Sequence, residues 1–276
     1  MLRRMHPRAF VLLASLAAAT TFAGCGADEP ASGATAKVTA TATSEGLSIV
    51  ALGDSETTGS GDETGKGWVQ RYADLLHERL GVEVTVQNLA VNGKTSDMLV
   101  ADLRDDEITR EAVAGAQVVL FGIGGADLNA GDDRFAAGEC KAEECYRPGL
   151  KAFERNLADA VAAVKEIRGS NTTVLRSITQ PNVLTGAEDV IPPFLKRIST
   201  RIGTFQARTA NKAICRVMAD AGGRCIDVLK AFNGPSGREN AYEKGLLNHE
   251  DCCYPSAKGH QLMAELLVET GLAPLR

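Results

Sequence analysis

Five short apolar or alternating runs, set between longer stretches of helical periodicity, restrict this chain more than any other feature. The runs are 47–52, 82–87, 117–122, 172–178 and 224–229. Between them, Trp68, Tyr72, Leu75, Leu76 and Leu80 share one helical face, and so do Leu150, Phe153, Leu157, Val161, Val164 and Ile167. Ile198, Ile202 and Phe205 form a third stripe, and a last helix carries Leu262, Met263, Leu266 and Leu267. Strands that alternate with helices pair in parallel, because each crossover returns the chain to the same edge of the sheet. The expectation is an α/β fold, a three-layer α/β/α sandwich with a central, mainly parallel five-stranded sheet. The stretch 127–148 breaks the pattern. It is acidic, Gly-bearing and Cys-bearing, and reads as a long insertion loop near the carboxyl edge of the sheet.

The first 24 residues stand apart from this pattern. Arg3, Arg4 and Arg8 precede an apolar stretch from Ala9 to Ala23, the layout of an export signal. The stretch ends in Phe22-Ala23-Gly24-Cys25, which resembles a bacterial lipobox, so Cys25 is the expected lipidation site. Acyl chains there would anchor the protein to the outer face of the cell membrane without spanning it; simple cleavage near Ala23 would instead release it as a secreted protein. Residues 25–46 are Ala, Thr, Ser, Gly and Glu with almost no large apolar side chain, and read as a flexible tether. Residues 47–276 are then one domain. A net charge of −5 gives no electrostatic case for nucleic-acid binding. A monomer is expected.

Six cysteines remain beyond Cys25, namely Cys140, Cys145, Cys215, Cys225, Cys252 and Cys253. An even number in an exported chain suggests disulfides. A local Cys140–Cys145 bridge is expected, with the 215/225 region joined to the 252/253 region. No pair has the spacing of a zinc site and no neighbouring His completes a ligand set, so no metal is expected.

Where the first run ends, the chain reads Gly53-Asp54-Ser55, with Gly59 shortly after. A serine there is held at the carboxyl end of a parallel strand, where open α/β sheets place their ligands. Three further blocks stand at comparable positions: Asn88 to Thr95 after the second run, Gly122 to Leu128 after the third, and Asp251 to His260 before the final helix.

With these four blocks in order, residues 47–270 resemble the SGNH/GDSL hydrolases, whose fold is flavodoxin-like. The resemblance implies an esterase or lipase that needs no cofactor, with a small-molecule or glycan ester as substrate. It assigns Ser55 as nucleophile, the backbone N–H groups of Ser55 and Gly93 to the oxyanion hole, and Asp251 as the carboxylate that orients the base. Two positions depart from the family pattern. Ala126 stands where the family has its oxyanion Asn, and Tyr254 where it has the catalytic His, with Pro255 and Gly259 keeping the register.

These losses are unequal. Loss of one oxyanion donor costs about 10²–10³ in rate. Loss of the base is worse, since a serine is a poor nucleophile unless a neighbour takes its proton. Tyrosine, with an ordinary pKa near 10, is a poor base at neutral pH. His249, in the same loop as Asp251, is the candidate substitute base. His260 is expected to face away from the site and His77 to lie on the outer face of its helix. Two functions follow: a weakly active ester hydrolase, or an inactive binding protein for a cell-envelope glycan or acyl ligand.

Overall fold

The computed structural model describes residues 46–129, 131–191, 193, 196 and 199–275. The leader, Cys25, nearly all of the tether and Ile198 lie outside the described residues.

Strand β1 (Leu47–Gly53) leads into a single helical turn, α1 (Ser55–Thr58), and then α2 (Gly67–Leu80). Strand β2 (Val84–Asn88) is followed by α3 (Ser96–Asp105) and α4 (Glu107–Gly115). After β3 (Val118–Gly122) come α5 (Gly125–Asn129), α6 (Asp132–Ala136) and the long α7 (Glu143–Arg168). Strand β4 (Val174–Ile178) precedes α8 (Ser199–Asp220), and β5 (Arg224–Ile226) precedes α9 (Val228–Asn233) and α10 (Ala257–Glu269). All four strand pairings are parallel, in the order β2-β1-β3-β4-β5.

The pleat of β1 divides the core. Leu47, Ile49 and Ala51 point to a layer built with Trp68 and Tyr72 of α2 and Met263 and Leu267 of α10. Val50 and Leu52 point the other way, to a layer with Leu99 of α3, Val113 of α4, Phe153 and Leu157 of α7 and Ile214 of α8. Burial on both faces explains why the central strands read as continuous apolar runs. One cation interrupts them. Arg176 in β4 is fully buried, and its guanidinium donates to the carbonyls of Gly271 and Ala273 and to the Thr270 hydroxyl beyond α10. That side chain latches the C-terminal segment to the sheet.

Three expectations need correction. Residues 127–148 are not a loop: α5, α6 and the first turns of α7 occupy most of the stretch. Pro148 sits inside α7 and masks the helical pattern from the sequence, because proline lacks the N–H that a helix interior uses. The fifth strand stops at Ile226. Asp227 then caps α9 by accepting from the Lys230 N–H (2.9 Å), so Val228 and Leu229 bury themselves from a helix. The disulfides join Cys140 to Cys145, Cys215 to Cys225, and Cys252 to Cys253. The 215/225 region is therefore not bridged to the 252/253 region. The tight turn from α8 into β5 brings the Cys215 and Cys225 Cα atoms within 5.2 Å, inside bridging range.

Candidate active site

In this strand order the chain leaves β1 toward β2 on one side and later toward β3 on the other. The crevice between the carboxyl ends of β1 and β3 is the topological switch point, where such sheets bind ligands. Asp54 spans it. Its Oδ2 accepts from the N–H groups of Gly124 (2.9 Å) and Gly125 (2.8 Å), and its Oδ1 accepts from the Glu56 N–H. The strand ends must approach closely for this: a Cβ on Gly53 would lie 2.1 Å from the Gly122 carbonyl oxygen. Burial pushes the Asp54 carboxyl up to about 6, although the three N–H donors pull it down.

Gly93 reaches the same crevice because its loop is tied back to β1 and α1. The Leu89 N–H donates to Ala51 O, the Val91 N–H to Gly53 O, and the Asn88 side-chain amide to Thr57 O. Gly93 itself has φ of +76°, a left-handed conformation that glycine adopts without strain. Asp127 fixes the far end of the loop by accepting from the backbone N–H and hydroxyl of Ser96.

The fourth block comes from the loop ahead of α10. The Asn248 N–H donates to Tyr254 O and the Asn248 side-chain amide to Gly61 O. Gly61 lies so close to Tyr254 that a Cβ there would stand 2.5 Å from the tyrosine Cβ.

Together these elements enclose a cavity of about 350 Å³. Ser55, Gly93, Ala126 and Tyr254 all line it, as do the half-buried Cys252 and Cys253. Pro181, Val183, Leu184 and Ile191 supply an apolar wall. Among the described residues, neither the Ser55 hydroxyl nor the Tyr254 hydroxyl has a hydrogen-bond partner.

The expected acid–base pair does not assemble on this wall. Asp251 is exposed and does not line the cavity, because the loop turns on Asn248 Oδ1, which accepts from the N–H groups of Glu250 and Asp251. His249 is exposed too and packs its ring on Tyr242, centroids 4.5 Å apart. His260 is buried in the core rather than on a surface: its Nδ1 accepts from the Trp68 N–H (3.2 Å) and its Nε2–H donates to Ser60 O (3.0 Å). With both nitrogens engaged and its pKa lowered by burial, it holds the α1–α2 connection to α10 as a neutral ring. No described histidine lines the cavity.

Two residues that the sequence reading passed over do line it. Glu56, next to the nucleophile position, is buried, with its carboxyl pushed up to about 8 by burial first and by the Asp54 charge second. The buried amide of Gln180 lies beside it and opposes that rise.

The chain belongs to the GDSL-like lipase/acylhydrolase family, whose sequence profile matches residues 51–262. A protein of Bacillus subtilis strain 168, YpmR, itself uncharacterised, is 27% identical over 263 residues, covering 95% of this chain and 94% of its own. The fold is similar to that of the lipase Lip_vut3 from a goat rumen metagenome, with a TM-score of 0.68 at 23% identity. That match covers 83% of this chain and all of the other. The lipase/acylhydrolase of Enterococcus faecalis aligns over 82% of this chain and 95% of its own, with a TM-score of 0.54 at 21% identity. The family is one of esterase/lipase-type hydrolases, and the fold is the one those structures share.

Proposed function

We propose that this protein is an exported, lipid-anchored ester hydrolase of low turnover, attached through Cys25 to the outer face of the cell membrane. The observation that carries the catalytic part is the convergence of Ser55, Gly93, Ala126 and Tyr254 on one cavity at the switch point. In this reading Ser55 Oγ attacks the ester carbonyl, the alcohol leaves, and water releases the acid from the acyl-serine. The N–H groups of Ser55 and Gly93 hold the tetrahedral oxyanion, without the third donor that Ala126 cannot supply. Turnover is low because Tyr254 stands in place of an imidazole. The basic leader, the apolar stretch and Cys25 support export and anchoring, and six pairable cysteines suit an oxidising compartment.

A sensitive assay with short-chain aryl esters, wild type against Ser55→Ala, tests the mechanism, and equal rates remove it. The absence of an imidazole from the cavity wall among the described residues favours a second reading, a binding protein that holds a cell-envelope glycan or acyl ligand without turnover. Thermal stabilisation by ligand without hydrolysis supports that alternative, and Ser55-dependent burst labelling by a fluorophosphonate probe opposes it. Globomycin-sensitive labelling of the full chain with radioactive palmitate, lost in Cys25→Ala, tests the anchor.

A further inference from the structure

A disulfide stabilises a fold mainly by closing a loop that the unfolded chain would leave open, and it gains more from a longer loop. By that measure the three bridges are unequal. Cys140–Cys145 and Cys215–Cys225 join residues 5 and 10 apart, whereas Cys252 and Cys253 are neighbours, so their bridge closes the shortest loop a chain can make. Such a bridge adds little to stability, and its place in the fold points to another use. Both of its cysteines are half-buried and line the cavity that holds Ser55. The other two bridges are less accessible. Cys145 is buried, and of Cys215 and Cys225 only Cys215 lines the separate cavity between α8 and α9.

We infer that the Cys252–Cys253 bridge is a thiol–disulfide exchange site, at which a low-molecular-weight thiol entering the Ser55 cavity is oxidised while the cysteine pair is reduced. The inference does not draw on the ester-hydrolase reading, since it needs the cavity and the two cysteines but no chemistry at Ser55.

A thiolate attacks Cys253 Sγ, the sulfur–sulfur bond breaks, and a mixed disulfide forms at Cys253 while the electron pair leaves on Cys252 Sγ. A second thiolate attacks the small-molecule sulfur of that mixed disulfide. The two thiols then depart joined to each other, and Cys253 is freed. The protons that the two thiols release on ionising are the ones the two cysteines take up, and two electrons pass to the cysteine pair. Tyr242 is placed to receive the reduced form. This buried side chain spends its one hydroxyl proton on Val183 O (2.9 Å), and Cys252 Sγ lies 3.5 Å from the same tyrosine oxygen. A bridged sulfur has no proton to give that oxygen, whereas a thiol has one and completes the bond. Among the described residues no other group donates to it.

The full chain in its oxidised state is treated with 2-mercaptoethanol in mildly alkaline buffer and quenched at intervals with N-ethylmaleimide, and peptide mass spectrometry reads which cysteines carry the label. Cys252 and Cys253 should be labelled at least about tenfold faster than Cys140, Cys145, Cys215 or Cys225, because exchange follows access to the sulfur. In Cys252→Ser the freed Cys253 thiol should take up one hydroxyethylthio group from 2-hydroxyethyl disulfide, which is the mixed disulfide of the first step. Tyr242→Phe has no oxygen to accept from the thiol and should shift the equilibrium with 2-mercaptoethanol toward the bridge by about threefold or more. If Tyr242→Phe does not fold, the labelling order in wild type and the Cys252→Ser product decide the matter. Labelling of Cys252 and Cys253 before any thiol is added, reduction no faster than that of Cys215–Cys225, a Cys253 that forms no mixed disulfide, or a folded Tyr242→Phe with an unmoved equilibrium overturns the proposal.

Discussion

Replacing Glu56 by Gln should change how stability depends on pH, and the effect can be worked from the site. The carboxyl ionises near 4.5 in an open chain and is pushed up to about 8 in the fold, by burial and then by the Asp54 charge. Between these two values the folded protein holds a proton that the unfolded chain has released. Stability from this group is therefore fully present below about pH 4.5 and is lost as pH rises through about 8. Over the whole interval the loss approaches about 5 kcal/mol, at 1.36 kcal/mol per pKa unit. Between about pH 5 and pH 8 it is roughly 3 kcal/mol. The Gln side chain keeps the shape and does not titrate, so Glu56→Gln should lack this decline and retain the smaller one from Asp54, whose carboxyl is raised to about 6. Urea unfolding of both proteins at several pH values reads the difference, as a stability gap in favour of the variant that widens toward alkaline pH. Parallel pH profiles would refute the reasoning, because they would mean that the Glu56 carboxyl meets water or a cation in solution.

Installing the missing groups should restore rate: Ala126→Asn alone is expected to raise aryl-ester hydrolysis by about 10²-fold, and further when combined with Tyr254→His, with no gain from either if the cavity is not the catalytic centre. Gly53→Ala should abolish soluble expression, since its Cβ would stand 2.1 Å from Gly122 O, and a normally folded variant by circular dichroism would contradict the close strand approach. Replacing both Cys215 and Cys225 by Ser should cost about 2–3 kcal/mol in urea unfolding by the loop-closure argument. An unchanged midpoint would show that the bridge between α8 and β5 does not form. His260→Ala should cost about 2 kcal/mol or more by orphaning the Trp68 N–H and opening a hole between α2 and α10, a loss that heating scans would read.

What the sequence revealed was local, and what it hid was tertiary. The strands were visible because burial on both faces leaves unbroken apolar runs such as Val118 to Phe121. The helices α3 and α4 were not, since each is short and buries only a few apolar side chains, such as Leu99, Leu103 and Val113. Ser55, Gly93, Ala126 and Tyr254 could be placed at one cavity because each lies beside the end of a strand or the start of a helix that the pattern marks. Glu56 gave no such signal. A glutamate in a Gly-rich turn reads as solvated, and only the distant Gln180 segment folding over it makes it a buried acid. His260 stays away from the cavity as its position suggests, but its burial had the same tertiary origin, because its partners, Trp68 and Ser60, come from the opposite end of the sequence. Asp251 misled in the other direction: its motif spacing suggests a partner for a base, yet it stands in solvent.

Every strand of this sheet runs the same way, so β1 starts on the side of the domain remote from the crevice where it stops. Seven residues at about 3.3 Å each put roughly 23 Å between Leu47 and the cavity rim. Whatever is joined upstream of Gly46, whether an acyl chain, a purification tag or a solid support, therefore pulls on the rear of the sheet.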